Sequence, residues 1–332
     1  MTREHDQAGG VPGAPPRSPG SKGPREHLRY PNFILLVIGG LLLIVGIAAA
    51  FIAPIEVYVF YAFSEGGRFY YEGFGFGSFM FGYITWQVIG YYLIAILCIP
   101  LGYGHLRARR WTRTLSLALL WSWLILGVPL LVIFAFLLLS VKNLPLVTAL
   151  IVLILLGASY LLLPGLLIRF YQSNIVIQAF EASDPHMSWI ESRPIPVLVL
   201  GILFVFYIVV LHIPLFFNGI VPTFGTWLNS MQGYILLDVL VLILIGLTWG
   251  ILRQKVWAWW GSLVYFTLLT SSLIITLFNT SFLDTLTAMD LPPYEMEIFQ
   301  GMPLQSTYFI PFLGIPLLIT LTVLLFSKRH FY

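Results

Sequence analysis

Charge is what this chain has least of. Only 9% of its 332 residues are Asp, Glu, Lys or Arg, against 59% hydrophobic, whereas a soluble domain carries about 25% charged residues. So little polar surface cannot cover a water-facing globule, and lipid is the remaining solvent for the apolar remainder. Cysteine is nearly absent. The single Cys98 lies in an apolar run, which excludes a disulfide framework and a cysteine-based metal site and leaves a small buried thiol as the expected state. No phosphate-binding glycine loop, nucleophile elbow, HExxH helix or Cys/His cluster occurs, and no pair of carboxylates falls within the apolar runs. No catalytic residue, cofactor site or metal site is therefore expected. The net charge of +3 comes from basic residues at the ends of apolar segments. That is a membrane-topology pattern, not a nucleic-acid footprint.

Long apolar runs dominate what is present. A crossing needs about 20 apolar residues, and eight runs qualify: 31–53, 84–102, 115–139, 146–168, 195–217, 234–251, 257–278 and 308–326. The expected fold class is an all-α, polytopic helical bundle with eight transmembrane helices. The first 30 residues are rich in Gly, Pro, Ser and charge, the composition of a disordered tail. A signal peptide starts its short apolar core near the N-terminus. Here the first run begins late and is long enough to span, so it is expected to remain as an uncleaved first helix.

The basic residues orient these spans. Fifteen of the 17 Lys and Arg fall on one side of an eight-span arrangement, leaving only Arg68 and Lys142 on the other. The positive-inside bias places the basic side, and with it both termini, in the cytoplasm, and the expected location is a prokaryotic plasma membrane. Membrane lipids are the expected contacts, with other membrane-protein subunits as candidate partners and no nucleic acid.

A repeat runs through the chain. YGHLRARRWTRTLSL at 103–117 aligns with WGILRQKVWAWWGSL at 249–263 at a constant offset of 146. Gly104 pairs with Gly250, Leu106 with Leu252, Arg107 with Arg253, Trp111 with Trp257, Ser116 with Ser262 and Leu117 with Leu263. The motif resembles G-x-L-R-x-x-x-W hairpins of prokaryotic membrane proteins, and the resemblance implies no activity. In each copy the motif joins the second and third spans of a four-span unit. The chain thus divides into a tail (1–30), a first half (31–170), a cytoplasmic linker (171–194) and a second half (195–332). Four spans per half is an even number, so the duplicated four-helix units share one orientation. Gly ends the incoming helix, Arg107 and Arg253 sit beyond it where lipid phosphates are in reach, and Trp111 and Trp257 act as interface anchors.

Few polar residues lie within the spans. Asp238 is the only acidic one, and His212 lies at a similar depth near the end of the preceding span. The two form a candidate intramembrane polar pair, able in principle to relay protons. Asp238 aligns with Tyr92, so such a site would exist in one half only. Gln87 is expected to bond across helices. Four carboxylates of the last outer loop, Asp284, Asp290, Glu295 and Glu297, are expected to attract cations. The central segment holds Ile175, Ile177 and Phe180, which fit a short interfacial amphipathic helix, and Glu181, Asp184, His186 and Glu191 without zinc-site spacing, and it reads as a solvated linker.

Two functions fit. Few intramembrane polar groups and an aromatic first outer loop favour a non-enzymatic scaffold or accessory subunit. The repeat and the Asp238/His212 pair favour a transporter of a small or lipophilic solute.

Overall fold

The computed structural model describes residues 29–64, 66–69, 75, 77–140, 145–301 and 305–332. The predicted disordered tail, most of the aromatic part of the first outer loop and the 141–144 connection lie outside the described residues. Helix accounts for 81% of the structure. Eight helical segments are long and apolar enough to cross a membrane, as the hydropathy predicts, and the chain is accordingly read as a multi-pass membrane protein.

The first two spans are α1 (Arg29–Phe63) and α2 (Phe79–Leu106). They form the most intimate helix pair of the molecule. Gly39 and Gly102 face each other there. A methyl on Gly39 would sit 3.0 Å from the Gly102 carbonyl oxygen, and one on Gly102 would sit 2.7 Å from Leu43 Cγ. Small residues at such a seam let two backbones approach closely, which is how membrane helices gain packing when water supplies no drive between them. α1 runs past Pro54 to residue 63, ten residues beyond the predicted end, and carries Glu56 within its span. Its 35 residues extend about 52 Å at 1.5 Å each, well beyond a hydrocarbon core of about 30 Å. Glu56 therefore joins Asp238 as an acidic residue on a spanning helix.

α3 (Arg110–Ser140) is the central element, packing on α2, on the fourth span and on two helices of the second half. The fourth span is α4 (Leu146–Gly157), a π-helical turn (Ala158–Leu162) and α5 (Leu163–Tyr171). α6 (Asn174–Ser183) follows, and then α7 (Ile195–Val210), α8 (Ser230–Leu252) and α9 (Val256–Asn279). Two short helices, α10 (Phe282–Met289) and α11 (Pro293–Gln300), precede the last span. That span enters through a π-helical turn (Ile310–Gly314) and continues as α12 (Ile315–Phe326). Each π-helical turn ends two residues before a proline, Pro164 in one case and Pro316 in the other. Proline removes a backbone donor and crowds the preceding turn, and a widened turn absorbs both effects.

Between α7 and α8 a two-stranded ribbon pairs Val221–Pro222 with Trp227–Leu228. Its tip lies on α9, whose hydroxyls recur every fourth residue. Phe224 N donates to Ser272 Oγ (3.0 Å), Gly225 N to Thr276 Oγ1 (3.0 Å) and Trp227 Nε1 to Thr280 Oγ1 (3.1 Å). A polar stripe on a membrane helix is thus satisfied by an irregular segment packed on protein.

The main core lies among α3, α7, α8, α9 and α12. It holds Leu200, Leu203, Phe204, Leu244, Phe266, Leu273 and Leu317. Phe204 and Phe266 meet at 4.9 Å between ring centroids, and Tyr207 touches Phe266 at 5.3 Å while its hydroxyl meets Thr320 Oγ1 at 2.8 Å. A second core joins Leu35, Leu117, Ile168, Tyr171, Val176 and Phe180.

The segment expected to be a solvated linker is packed instead. α6 buries Val176, Ala179 and Phe180 against α1 and α3. Its apolar residues recur at helical spacing, and the packed faces of α1 and α3 give them an alternative to water.

Candidate functional site

Both repeat hairpins, the linker and the C-terminal residues gather at one end of the bundle. The two hairpins share one backbone plan. Arg107 N donates to Tyr103 O and Arg253 N to Trp249 O, each at 3.1 Å. Arg109 N reaches Gly104 O at 2.8 Å and Lys255 N reaches Gly250 O at 3.0 Å. Ala108 and Gln254, 146 residues apart, both take the left-handed conformation, with φ of 44° and 57°. A methyl on Gly104 would overlap Thr112 Cγ2, and one on Gly250 would overlap Ala258 Cβ. Each glycine is also roofed by the predicted anchor, with Trp111 Cζ2 at 3.0 Å and Trp257 Cζ2 at 2.8 Å from the added methyl. Glycine is therefore a packing requirement at both positions and not the expected helix stop, since the helices run on to Leu106 and Leu252 and turn at Ala108 and Gln254.

The side chains around the two turns differ. In the first, His105 is buried. Its Nδ1 lies 2.7 Å from Leu101 O, which can only accept, so Nδ1 carries the proton. Nε2 of the neutral ring then accepts from the Tyr171 hydroxyl at 2.7 Å. Phe180 of α6 closes the site edge-on at 6.2 Å from the imidazole. Outside this node, Arg110 Nε donates to Glu191 Oε1 at 2.9 Å, with the two side chains 18% and 8% exposed. Glu191 also accepts from Ser188 N at 2.9 Å. Glu181 lies 3.8 Å from Arg110, and Asp184 lies 3.6 Å from Arg109. Arg113 Nη1 donates to Tyr171 O at 3.3 Å. The acidic residues of the linker thus bind the first hairpin's arginines. Among the described residues no group of three His, Cys, Asp or Glu is placed to hold a metal.

In the second turn Ile251 replaces His105, and Ser262, the counterpart of Ser116, is fully buried with no hydrogen-bond partner among the described residues. Trp259 stands where Arg113 stands and donates from Nε1 to Leu324 O at 2.8 Å. The C-terminal residues close the turn. Gln254 Nε2 donates to His330 O (3.0 Å), Tyr332 N to Gln254 O (3.0 Å) and Arg193 Nη1 to Gln254 Oε1 (2.7 Å).

Arg107 is exposed, with its guanidinium 5.9 Å from the Tyr103 ring, and Arg253 is exposed over Trp249 at 4.4 Å. Asp238 is exposed on α8 and makes no hydrogen bond or ion pair with another described residue. His212 directs Nδ1 to Ile208 O at 2.6 Å. The structure does not join these two as an ion pair. Gln87, expected to bond across helices, donates instead to Tyr91 OH on its own helix at 2.9 Å.

At the opposite end, two of the four loop carboxylates are in structural use. Glu295 is buried and accepts from Phe79 N at 2.6 Å, at the first turn of α2. Asp284 forms a capping box with Ser281, and these hydrogen bonds hold its carboxyl below the usual carboxylate range.

Sequence reasoning passed over His105 and Tyr171, and took Glu295 for a cation-attracting loop carboxylate. For His105 the signal was present, as a lone histidine inside the repeated motif opposite an isoleucine. No known protein family, curated protein or solved structure matches this chain.

Proposed function

We propose that this multi-pass protein is a non-enzymatic scaffold or accessory subunit of a larger membrane assembly, in a prokaryotic plasma membrane with both termini cytoplasmic. The observation that carries this reading is the contrast between its interior and its flank. The main core is filled by apolar and aromatic side chains such as Leu203, Phe204, Leu244 and Phe266. The most apolar stretch of the α4–α5 span is only 6% buried. A filled interior offers a solute no path, and an uncovered flank offers lateral surface to a neighbouring subunit or to lipid.

The halves are read as two copies of one four-span unit in parallel orientation. Support comes from the matching hairpin hydrogen bonds and from the fourth spans. The π-helical turns at 158–162 and 310–314, with their prolines at 164 and 316, correspond at an offset of 152. The change from 146 to 152 is a net of six residues, α9 being seven residues shorter than α3 and the stretch from its end to the π-helical turn 13 residues longer.

Purification of the full chain from its native membrane in mild detergent tests the reading. A stable, stoichiometric membrane-protein partner is expected. Recovery of monomer or homo-oligomer alone would overturn it. The alternative, a transporter coupled to protons through Asp238 and His212, draws on the repeat and on an acid placed on a spanning helix. It calls for uptake that fails in Asp238→Asn and His212→Ala.

A further inference from the structure

The two hairpins dispose of their positive charge in different ways. All three ion pairs among the described residues neutralise Arg109 and Arg110 at the first hairpin. At the second, Arg253, Lys255, Lys328 and Arg329 are exposed, and none pairs with a carboxylate side chain of a described residue. Aromatic rings stand in place of acids. Arg253 lies over Trp249 at 4.4 Å, Lys255 Nζ over Tyr332 at 5.7 Å, and Lys328 Nζ over Trp259 and Trp260 at 5.4 and 5.7 Å.

The cluster is fixed by backbone. Val256 N donates to Tyr332 O at 3.3 Å and Tyr332 N to Gln254 O at 3.0 Å. These bonds, with Gln254 Nε2 on His330 O, hold residues 328–332 against the turn that carries Arg253 and Lys255. Trp249, Trp257 and Trp260 are each about half exposed around the same turn. An indole at that level sits in the headgroup zone of a bilayer. A guanidinium lying on an indole keeps its N–H edge free for an oxyanion, and ammonium groups beside it add unneutralised charge.

We propose that the junction of the second hairpin and the C-terminal segment binds the phosphate of an anionic phospholipid, with Arg253, Lys255, Lys328 and Arg329 as its cationic contacts and the exposed tryptophans against the adjoining acyl chains. The first hairpin, with Arg109 and Arg110 already occupied by Asp184, Glu181 and Glu191 and Arg107 the only exposed arginine outside these pairs, lacks this site.

The test uses the full chain in a zwitterionic detergent. Dioleoylphosphatidylglycerol, dioleoylphosphatidylcholine and inorganic phosphate are added separately, and bound lipid is read by native mass spectrometry alongside the thermal unfolding midpoint. The anionic lipid should be retained about tenfold more strongly than the zwitterionic one. Lys255→Gln/Lys328→Gln/Arg329→Gln should remove that preference, and Arg107→Gln should leave it in place. Equal retention of the two lipids, a preference that survives the triple substitution, or equal protection by inorganic phosphate would overturn the proposal. Should the triple variant fail to fold, the unmodified protein in 0.5 M salt decides. There the Debye length falls to about 4 Å and the preference should collapse. Its persistence would overturn the proposal equally.

Discussion

The two hairpins have one backbone and two interiors. Both begin at a glycine roofed by a tryptophan, and both turn through a left-handed residue. The first is then filled with a hydrogen-bonded His105–Tyr171 node and faced with ion pairs. The second is filled with Ile251 and Trp259 and faced with cations on aromatic rings. The difference teaches that the turn itself is specified by very little, a glycine and the bulk above it. What fills the space beneath is set by the neighbouring chain. The linker brings carboxylates to the first hairpin, and the C-terminal residues bring lysine, arginine and backbone to the second. The wider halves show the same divergence. In their most apolar stretches, α7 and α9 are 44% buried and the α4–α5 span 6%.

Removing the charge that faces the first hairpin should have the largest effect. Arg110→Gln strands Glu191, which is 8% exposed, and breaking a buried pair in this way costs about 3 kcal/mol. Thermal unfolding in detergent should show a lower midpoint. A variant that also replaces Glu191 by Gln should recover part of the loss, and no recovery would mean that the pair does not hold the linker in place. The shared glycines come next. Gly250→Ala meets a rigid Ala258 Cβ, and Gly104→Ala meets the end of a threonine side chain. Overpacking costs about 1–3 kcal/mol, and the second hairpin should lose more. The reverse order would show that Thr112 cannot move aside.

The buried hydroxyls of the two turns should respond with opposite signs. Tyr171→Phe removes the donor to His105 Nε2 and should cost about 1 kcal/mol. Ser262→Ala deletes a buried hydroxyl that has no partner among the described residues, so it should be neutral or stabilising. Equal losses would erase the distinction between the two interiors. The smallest effect concerns α10, at the far end of the second half. Asp284 has a lowered pKa in the folded state. Its contribution is therefore present above the pKa of an unfolded Asp and is lost as pH falls through the folded value. Amide exchange over 282–289 should accelerate through that acidic window, and Asp284→Asn should abolish the pH dependence. Exchange that stays flat with pH would show that the capping box does not hold the helix.

The eight crossings were legible because hydropathy and span length are local properties, and the hairpin motif because its requirements lie within fifteen consecutive residues. Helix ends were less so. α1 continues through Pro54, since a proline in a membrane helix widens or bends a turn more often than it ends one. The π-helical turns left no separate mark in composition. The docking of α6 and the burial of Asp184, Glu191 and Glu295 depend on partners 75 to 216 residues away, beyond the reach of any periodicity. His105 was readable as an oddity of the motif, but its neighbours were not. The Asp238 and His212 pairing rested on depth alone, which says nothing about the direction in which a side chain leaves its helix.

The bond between Glu295 and the first turn of α2 spans 216 residues of chain. A ribosome adding about 5–20 residues per second takes between roughly 11 and 43 s to cover that distance. Throughout that interval α2 can lie against α1 while its first turn waits for an acceptor not yet made. The α1–α2 pair is thus among the earliest parts of the molecule to be synthesised and among the last to be finished. A chain interrupted before residue 295 would leave the ribosome with the Phe79 amide lacking its acceptor and Ser78 alone capping that turn.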